Sequence, residues 1–214
     1  MVNWNLTFPM AGPITHLVLA ERVFDRHFPN MAKRDFFLGT SFPDIRYLKV
    51  IEREATHMEG LRVEDLQSDD AFTAGLKFHS IVDIARETFY NEVGLYTHCP
   101  ASKFITQSVK ILEDELFYDQ LGDWAAVASM FNDIVPQERE FGIPDEALQK
   151  WHALLQKYVA ERPTPNAVLA FAQALGFPDS VGHEMNESIA IMKENSTVLD
   201  FIHAFDTSFI TLLS

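Results

Sequence analysis

The stretch DAFTAGLKFHSIVDIARETFYNEVG, residues 70–94, decides the fold. Its apolar positions Phe72, Leu76, Ile81, Val82, Ala85 and Phe89 recur with helical spacing, which predicts one long helix from about Asp70 to Glu92. Gly94 is placed to close it as a C-terminal cap. His79 and Asp83 lie inside the helix, four residues apart, so about 40° of azimuth and about 6 Å of rise separate them. Both can reach one ion.

Helical spacing continues on either side. Pro13 suits the first turn of a helix running through Leu17, Leu19, Ala20, Val23 and Phe24 towards His27 and Phe28, with Pro29-Asn30 as its stop. That puts His16 near a helix start. A short apolar segment, Asp35 to Gly39, leads to Phe42-Pro43-Asp44, where Pro43 should bias Phe42 away from the α region and leave Asp44 at a turn or helix start. Residues 52–70 are polar and glycine-punctuated, and they read as a loop with one short helix, carrying His57. Further helices are predicted over about 101–119, 123–134, 144–161, 164–175, 179–194 and 196–213, punctuated by Pro136, Pro144, Pro163, Pro165 and Pro178. Strand-like alternation is nearly absent. The expectation is an all-α, single-domain multi-helix bundle over residues 1–214, with its chemistry concentrated in 11–90.

Composition narrows the function classes. The chain is 47% hydrophobic and 22% charged, without a low-complexity block, so all of it should fold. A formal charge of −14 disfavours generic binding to nucleic acid or anionic lipid surfaces, although bound dications could reverse that sign inside a pocket. Cys99 is the only cysteine, which removes disulfide frameworks and thiolate zinc fingers. A metal would have to use imidazole and carboxylate. Residues 1–9 lack a basic n-region and a clean apolar run, and no stretch approaches the about 18 apolar residues of a membrane span, so the expected location is the cytoplasm.

The spacing of His79 and Asp83 is not specific by itself. With 8 His and 31 acidic residues in 214, about one His-x-x-x-acid match arises by chance. Two occur, His79/Asp83 and His183/Glu187, and either could be a helix-surface ion pair contributing about 0.3–0.5 kcal/mol. Order along the chain adds context. GPITHLVLAERVF (12–24), FFLGTSFPDIRYL (36–48), REATHM (53–58) and FTAGLKFHSIVDIARETF (72–89) together resemble the N-terminal half of the zinc-dependent phospholipase C family, whose fold also includes zinc-dependent single-strand nucleases.

The resemblance implies a zinc site of one or two ions built from His16, Asp44, His57, His79 and Asp83, with Asp83 able to bridge to a neighbouring ion that His16 also binds. Another divalent transition metal could take the same ligands. Family members add a further zinc, held by a His soon after the His-x-x-x-Asp pair and by a later His-x-x-x-Glu. Here no histidine follows Asp83 within 84–89. Glu87, one more turn along the stripe, could stand in by reaching a second ion, or could be a surface carboxylate. The only later pair, His183 and Glu187, falls much farther downstream than the family pattern. Secreted members also use a mature N-terminal Trp amine as a ligand, whereas Trp4 here follows three residues, so that ligand is expected to be missing.

His27, His98, His152 and His203 fit ordinary core or surface roles, with a possible His203/Asp206 pairing across one turn. The many Phe, among them Phe36, Phe37, Phe78 and Phe89, read as core rather than as an acyl-chain cleft. Two functions stay open: a metal-dependent hydrolase of small phosphate esters or phospholipid headgroups, with Asp44 orienting or deprotonating the attacking water, and a metal-binding helical scaffold that has lost the catalytic cluster.

Overall fold

The computed structural model describes residues 11–213; Trp4 lies outside the described residues. Among those residues the chain is all-helical: α1 (Pro13–His27), α2 (Lys33–Ser41), α3 (Ala71–Glu92), α4 (Ile105–Phe117), α5 (Trp124–Met130), α6 (Pro136–Arg139), α7 (Asp145–Val159), α8 (Pro165–Ala174), α9 (Asp179–Lys193) and α10 (Ser196–Leu212). Short 3-10 segments join them. Side chains start several helices where the sequence has a capping residue. Asp70 accepts from the Phe72 and Thr73 amides, Asp123 from Ala126, Thr164 from Ala167 and Asn195 from Thr197. Gly94 takes φ 69° just past the end of α3, the left-handed conformation expected of a closing glycine. No described helix is long and apolar enough to cross a membrane.

The expected boundaries shift in three places. The predicted 101–119 helix begins only at Ile105, and 123–134 shortens to α5, with α6 following separately. The segment around Phe36-Phe37-Leu38 is a full helix, α2, and it runs into a 3-10 helix over Phe42–Leu48. Phe42, ahead of Pro43, keeps αR dihedrals (φ −66°, ψ −42°), against the expectation from its proline. Its ring is buried against Phe72 and Phe141, at centroid separations of 5.4 and 4.7 Å, and this packing offsets the local preference. Asp44 sits in the first turn of that 3-10 helix, as a helix-start residue.

The crossing of α2 over α3 organises the molecule, and it is made by two glycines. A Cβ on Gly39 would lie 2.0 Å from the Phe72 carbonyl oxygen, and one on Gly75 would lie 2.0 Å from the Phe36 carbonyl oxygen. Each helix backbone therefore rests directly on the other. Gly75 inside a helix is worth about 1 kcal/mol less than Ala, so its presence there signals close packing rather than propensity. Phe36, Phe37, Phe72 and Phe78 fill the surrounding core, as read from the sequence, and Phe89 packs beside it.

On the other side, α1 is anchored by an acid from α4. Gly12, its N-cap, has no side chain to cap with; instead Asp114 Oδ1 accepts from the Thr15 amide (2.7 Å) and from its hydroxyl (2.7 Å). The Tyr158 hydroxyl donates to Oδ2 at 2.9 Å. Burial pushes the Asp114 carboxyl up to about 7, against the pull of these donors. The folded state therefore holds the Asp114 proton above the pH at which an unfolded chain releases it. That contribution is full below about pH 4 and is lost as pH rises to 7. The stability difference between wild type and Asp114→Asn should shrink by on the order of 3 kcal/mol between pH 5 and pH 8, read by urea unfolding of chelated protein. A difference that stays flat across that range would contradict the assignment.

Candidate metal centre

The α2/α3 crossing carries residues 40–44 and 79–83 to one place. Four residues after Gly75, His79 reaches back to α2, and its Nδ1 lies 2.8 Å from the Thr40 carbonyl oxygen. A carbonyl only accepts, so Nδ1 carries the hydrogen and Nε2 is left facing inwards. His57 Nδ1 sits between two oxygens of its own loop, the Thr56 hydroxyl at 3.1 Å and the Arg53 carbonyl at 3.2 Å. The Met58 amide donates to the Ser80 hydroxyl, tying that loop to α3. His16 comes from the second turn of α1 and stacks on His79 with ring centroids 3.9 Å apart.

All three imidazoles aim at one carboxylate. His16 Nε2 is 3.2 Å from Asp83 Oδ1, while His79 Nε2 and His57 Nε2 are 3.4 and 3.5 Å from Oδ2. The Ala11 amide donates to Oδ1 at 2.8 Å, which leaves Oδ2 without a hydrogen bond. His16 Nε2, His57 Nε2, His79 Nε2 and Asp44 Oδ1 are likewise buried without hydrogen-bond partners. His16, His79 and Asp83 each present a ligand atom, all within 4.8 Å of one another, and this buried group can hold a metal ion. His57 stands at its edge.

Electrostatics argues the same way. Burial lowers the His57 pKa, and it lowers that of His16 to about 4, with His79 adding repulsion. Burial also opposes charge on His79, but attraction to Asp83 outweighs it and raises its pKa. Burial would raise Asp83 too, yet attraction to His79, and the close approach of the other two imidazoles, hold it well below the usual carboxylate range. One proton cannot satisfy the cluster. Neutral imidazole lone pairs pointing at an ionised carboxylate repel it, and a second buried acid, Asp44, adds to the negative charge. A dication relieves both, and the donor set of imidazole nitrogen and carboxylate oxygen suits a borderline ion.

The expected extension to a second ion does not assemble. Glu87 accepts from the Asn91 amide group (2.7 Å) and the Tyr96 hydroxyl (3.2 Å). Beside it Arg86, fully buried, pairs with Glu113 at 2.6 Å, one turn beyond Asp83. His183 and Glu187 are exposed on α9, whereas the cluster is buried. Their acidic and imidazole groups are therefore no part of the centre. Asp206 pairs with Arg22 rather than His203, and His152 is a core residue bridging Glu138 (2.6 Å) and the Phe131 carbonyl (3.1 Å).

Sequence reasoning did not find the Thr40 carbonyl that fixes the His79 tautomer, nor the Arg53 carbonyl beside His57, because any residue supplies a carbonyl. The mid-helix Gly75 was the available signal for the crossing that delivers Thr40. No family model matches the chain, and neither a curated protein nor a solved structure matches it.

Proposed function

We propose that the protein is a metal-dependent hydrolase of phosphate esters, with zinc as the ion. The reading is carried by the convergence of three imidazole Nε2 atoms on one buried carboxylate, one of the imidazoles, His79, having Nδ1 already committed to a carbonyl. His16, His79 and Asp83 would hold the ion, with His57 and Asp44 next to it. The resemblance of these same segments to the zinc-dependent phospholipase C family supports the reading. When bound, such a dication supplies charge that polarises a phosphoryl oxygen and brings the pKa of water towards about 7.

The chain's own groups complete the chemistry. Asp44 Oδ1, buried and without a hydrogen-bond donor, is the base that takes the proton of the attacking water. Arg46 Nε, 3.9 Å away, keeps positive charge near that oxygen. Ala11 fixes Asp83 through its amide, and Thr40 fixes His79, so the ligands need no reorganisation. The substrate is a small phosphate ester or a phospholipid headgroup, and a chain with one cysteine suits the reducing cytoplasm.

One observation favours a second reading, a metal-stabilised scaffold: with Glu87 engaged elsewhere and His183/Glu187 exposed, the ligands of one ion converge among the described residues. Chelated protein titrated with Zn²⁺ or Mn²⁺ against an aryl phosphodiester and an aryl phosphomonoester separates the two. Turnover that rises with added metal and saturates near one equivalent is expected. Tight stoichiometric metal without turnover on either ester would favour the scaffold.

A further inference from the structure

Beside the metal centre lies a cavity of about 50 Å³, room for roughly four water-sized spheres, which shares Ala11 and Asp44 with the proposed chemistry and is otherwise lined by residues that chemistry does not use. Ala11 and Asp44 form its wall towards the cluster, and Phe171, Ala172, Phe177 and Met185 from the α8/α9 region make the far side apolar. Among the described residues one ammonium, that of Lys110 on α4, lines this space, together with the carboxyl groups of Asp44 and Asp114.

Lys110 is only 7% exposed, and no carboxylate lies within ion-pair distance of its Nζ among the described residues. Its hydrogen-bond partner is a neutral phenol, the Tyr47 hydroxyl at 3.1 Å. Tyr47 and Asp44 are three residues apart on the 3-10 helix over Phe42–Leu48, so they share a face of it, and both line the cavity. The Tyr47 hydroxyl thus holds the ammonium on the Asp44 side, next to the metal ligands. A buried ammonium with two donor hydrogens left over is costly unless an anion completes it.

We infer that Lys110 is the anion-recognition residue of this cavity, selecting oxyanionic ligands that carry a compact apolar group. The oxyanion meets Lys110 Nζ at the Asp44 end, and the apolar group lies against Phe171 and Met185. That the ligand is a phosphate ester rests on the hydrolase reading above; that an oxyanion is bound through Lys110 does not. The lysine contributes charge that the metal ligands lack, and its apolar surroundings explain why a simple hydrated anion would bind more weakly than an alkylated one.

The probe is propylphosphonate, whose P–C bond resists hydrolysis, compared with inorganic phosphate by calorimetric titration of chelated and zinc-loaded protein. Wild type should bind propylphosphonate at least tenfold more tightly than phosphate. Lys110→Met, which keeps the stem volume and removes the buried charge, should fold normally, keep the wild-type zinc content and lose at least tenfold in propylphosphonate affinity. Equal affinity in wild type and Lys110→Met, or no binding to wild type at 10 mM (roughly the weakest affinity such a contact set allows), overturns the inference. Lys110-dependent binding in a protein that takes up no zinc would uphold it and sink the metal reading. Zinc uptake with affinity independent of Lys110 would do the reverse.

Discussion

Protein purified without chelator or affinity metal is expected to carry close to one divalent ion per chain, and the His79→Ala/Asp83→Ala double variant close to none. Asp83 is the point on which His16, His57 and His79 all converge, so its removal withdraws a carboxylate that lies within 3.5 Å of all three. His79 is the imidazole held most tightly in ligand orientation, by a 2.8 Å contact with the Thr40 carbonyl oxygen. Loss of the ion also removes its contribution to stability. An ion present at a thousand times its dissociation constant adds about 4 kcal/mol, which for a chain of this size corresponds to roughly 10 °C in melting temperature. Chelation of the wild type should therefore lower its melting temperature by that order and leave the double variant unmoved. Elemental analysis showing a fully loaded double variant would refute the site.

Gly75→Ala should be strongly disruptive, as should Gly39→Ala on the other side of the crossing. The Cβ added at Gly75 would meet the Phe36 carbonyl oxygen at 2.0 Å and the Thr40 amide nitrogen at 2.9 Å, backbone atoms of a packed helix that no rotamer change can move aside. Overpacking of a core commonly costs about 1–3 kcal/mol, and a backbone-on-backbone clash belongs at or above the top of that range, about 4 kcal/mol. Separation of α2 from α3 also withdraws Thr40 from His79, so metal content should fall with stability although no ligand has changed. Gly122→Ala is the control: a Cβ there meets nothing within 4 Å, and its effect should stay within about 0.5 kcal/mol. If the Gly75 variant melts with the wild type and keeps its ion, the crossing does not position the site.

These two expectations differ in what made them readable. The four-residue spacing of His79 and Asp83 and the period of α3 are local properties, and local spacing is enough to put two ligands on one face. The cap at Asp70 and the left-handed Gly94 are equally local, since each satisfies backbone groups within one turn, and Pro13 suits a first turn by its own fixed φ. The helix over Lys33–Ser41 was not readable in full, because its support comes from Phe36 and Phe37 packing across to other elements. The αR conformation of Phe42 before a proline has the same origin. Glu87 shows the limit of such spacing: the stripe admitted either a second-ion role or a surface carboxylate, and its oxygens are taken up by Asn91 one turn on and by Tyr96 from beyond the helix.

The order of residues thus determined an all-helical chain, the ligand types available to a cation and the pairing of His79 with Asp83, while His16, Asp44 and His57 were expected only through a resemblance. Only the tertiary structure decided that His16 comes within ligand distance of that pair, with His57 at its edge, and that Lys110 lines the adjoining cavity. The reason is the range of the forces: helix period, capping and chain stiffness act within a few residues, whereas burial and charge act between groups that contact order alone brings together.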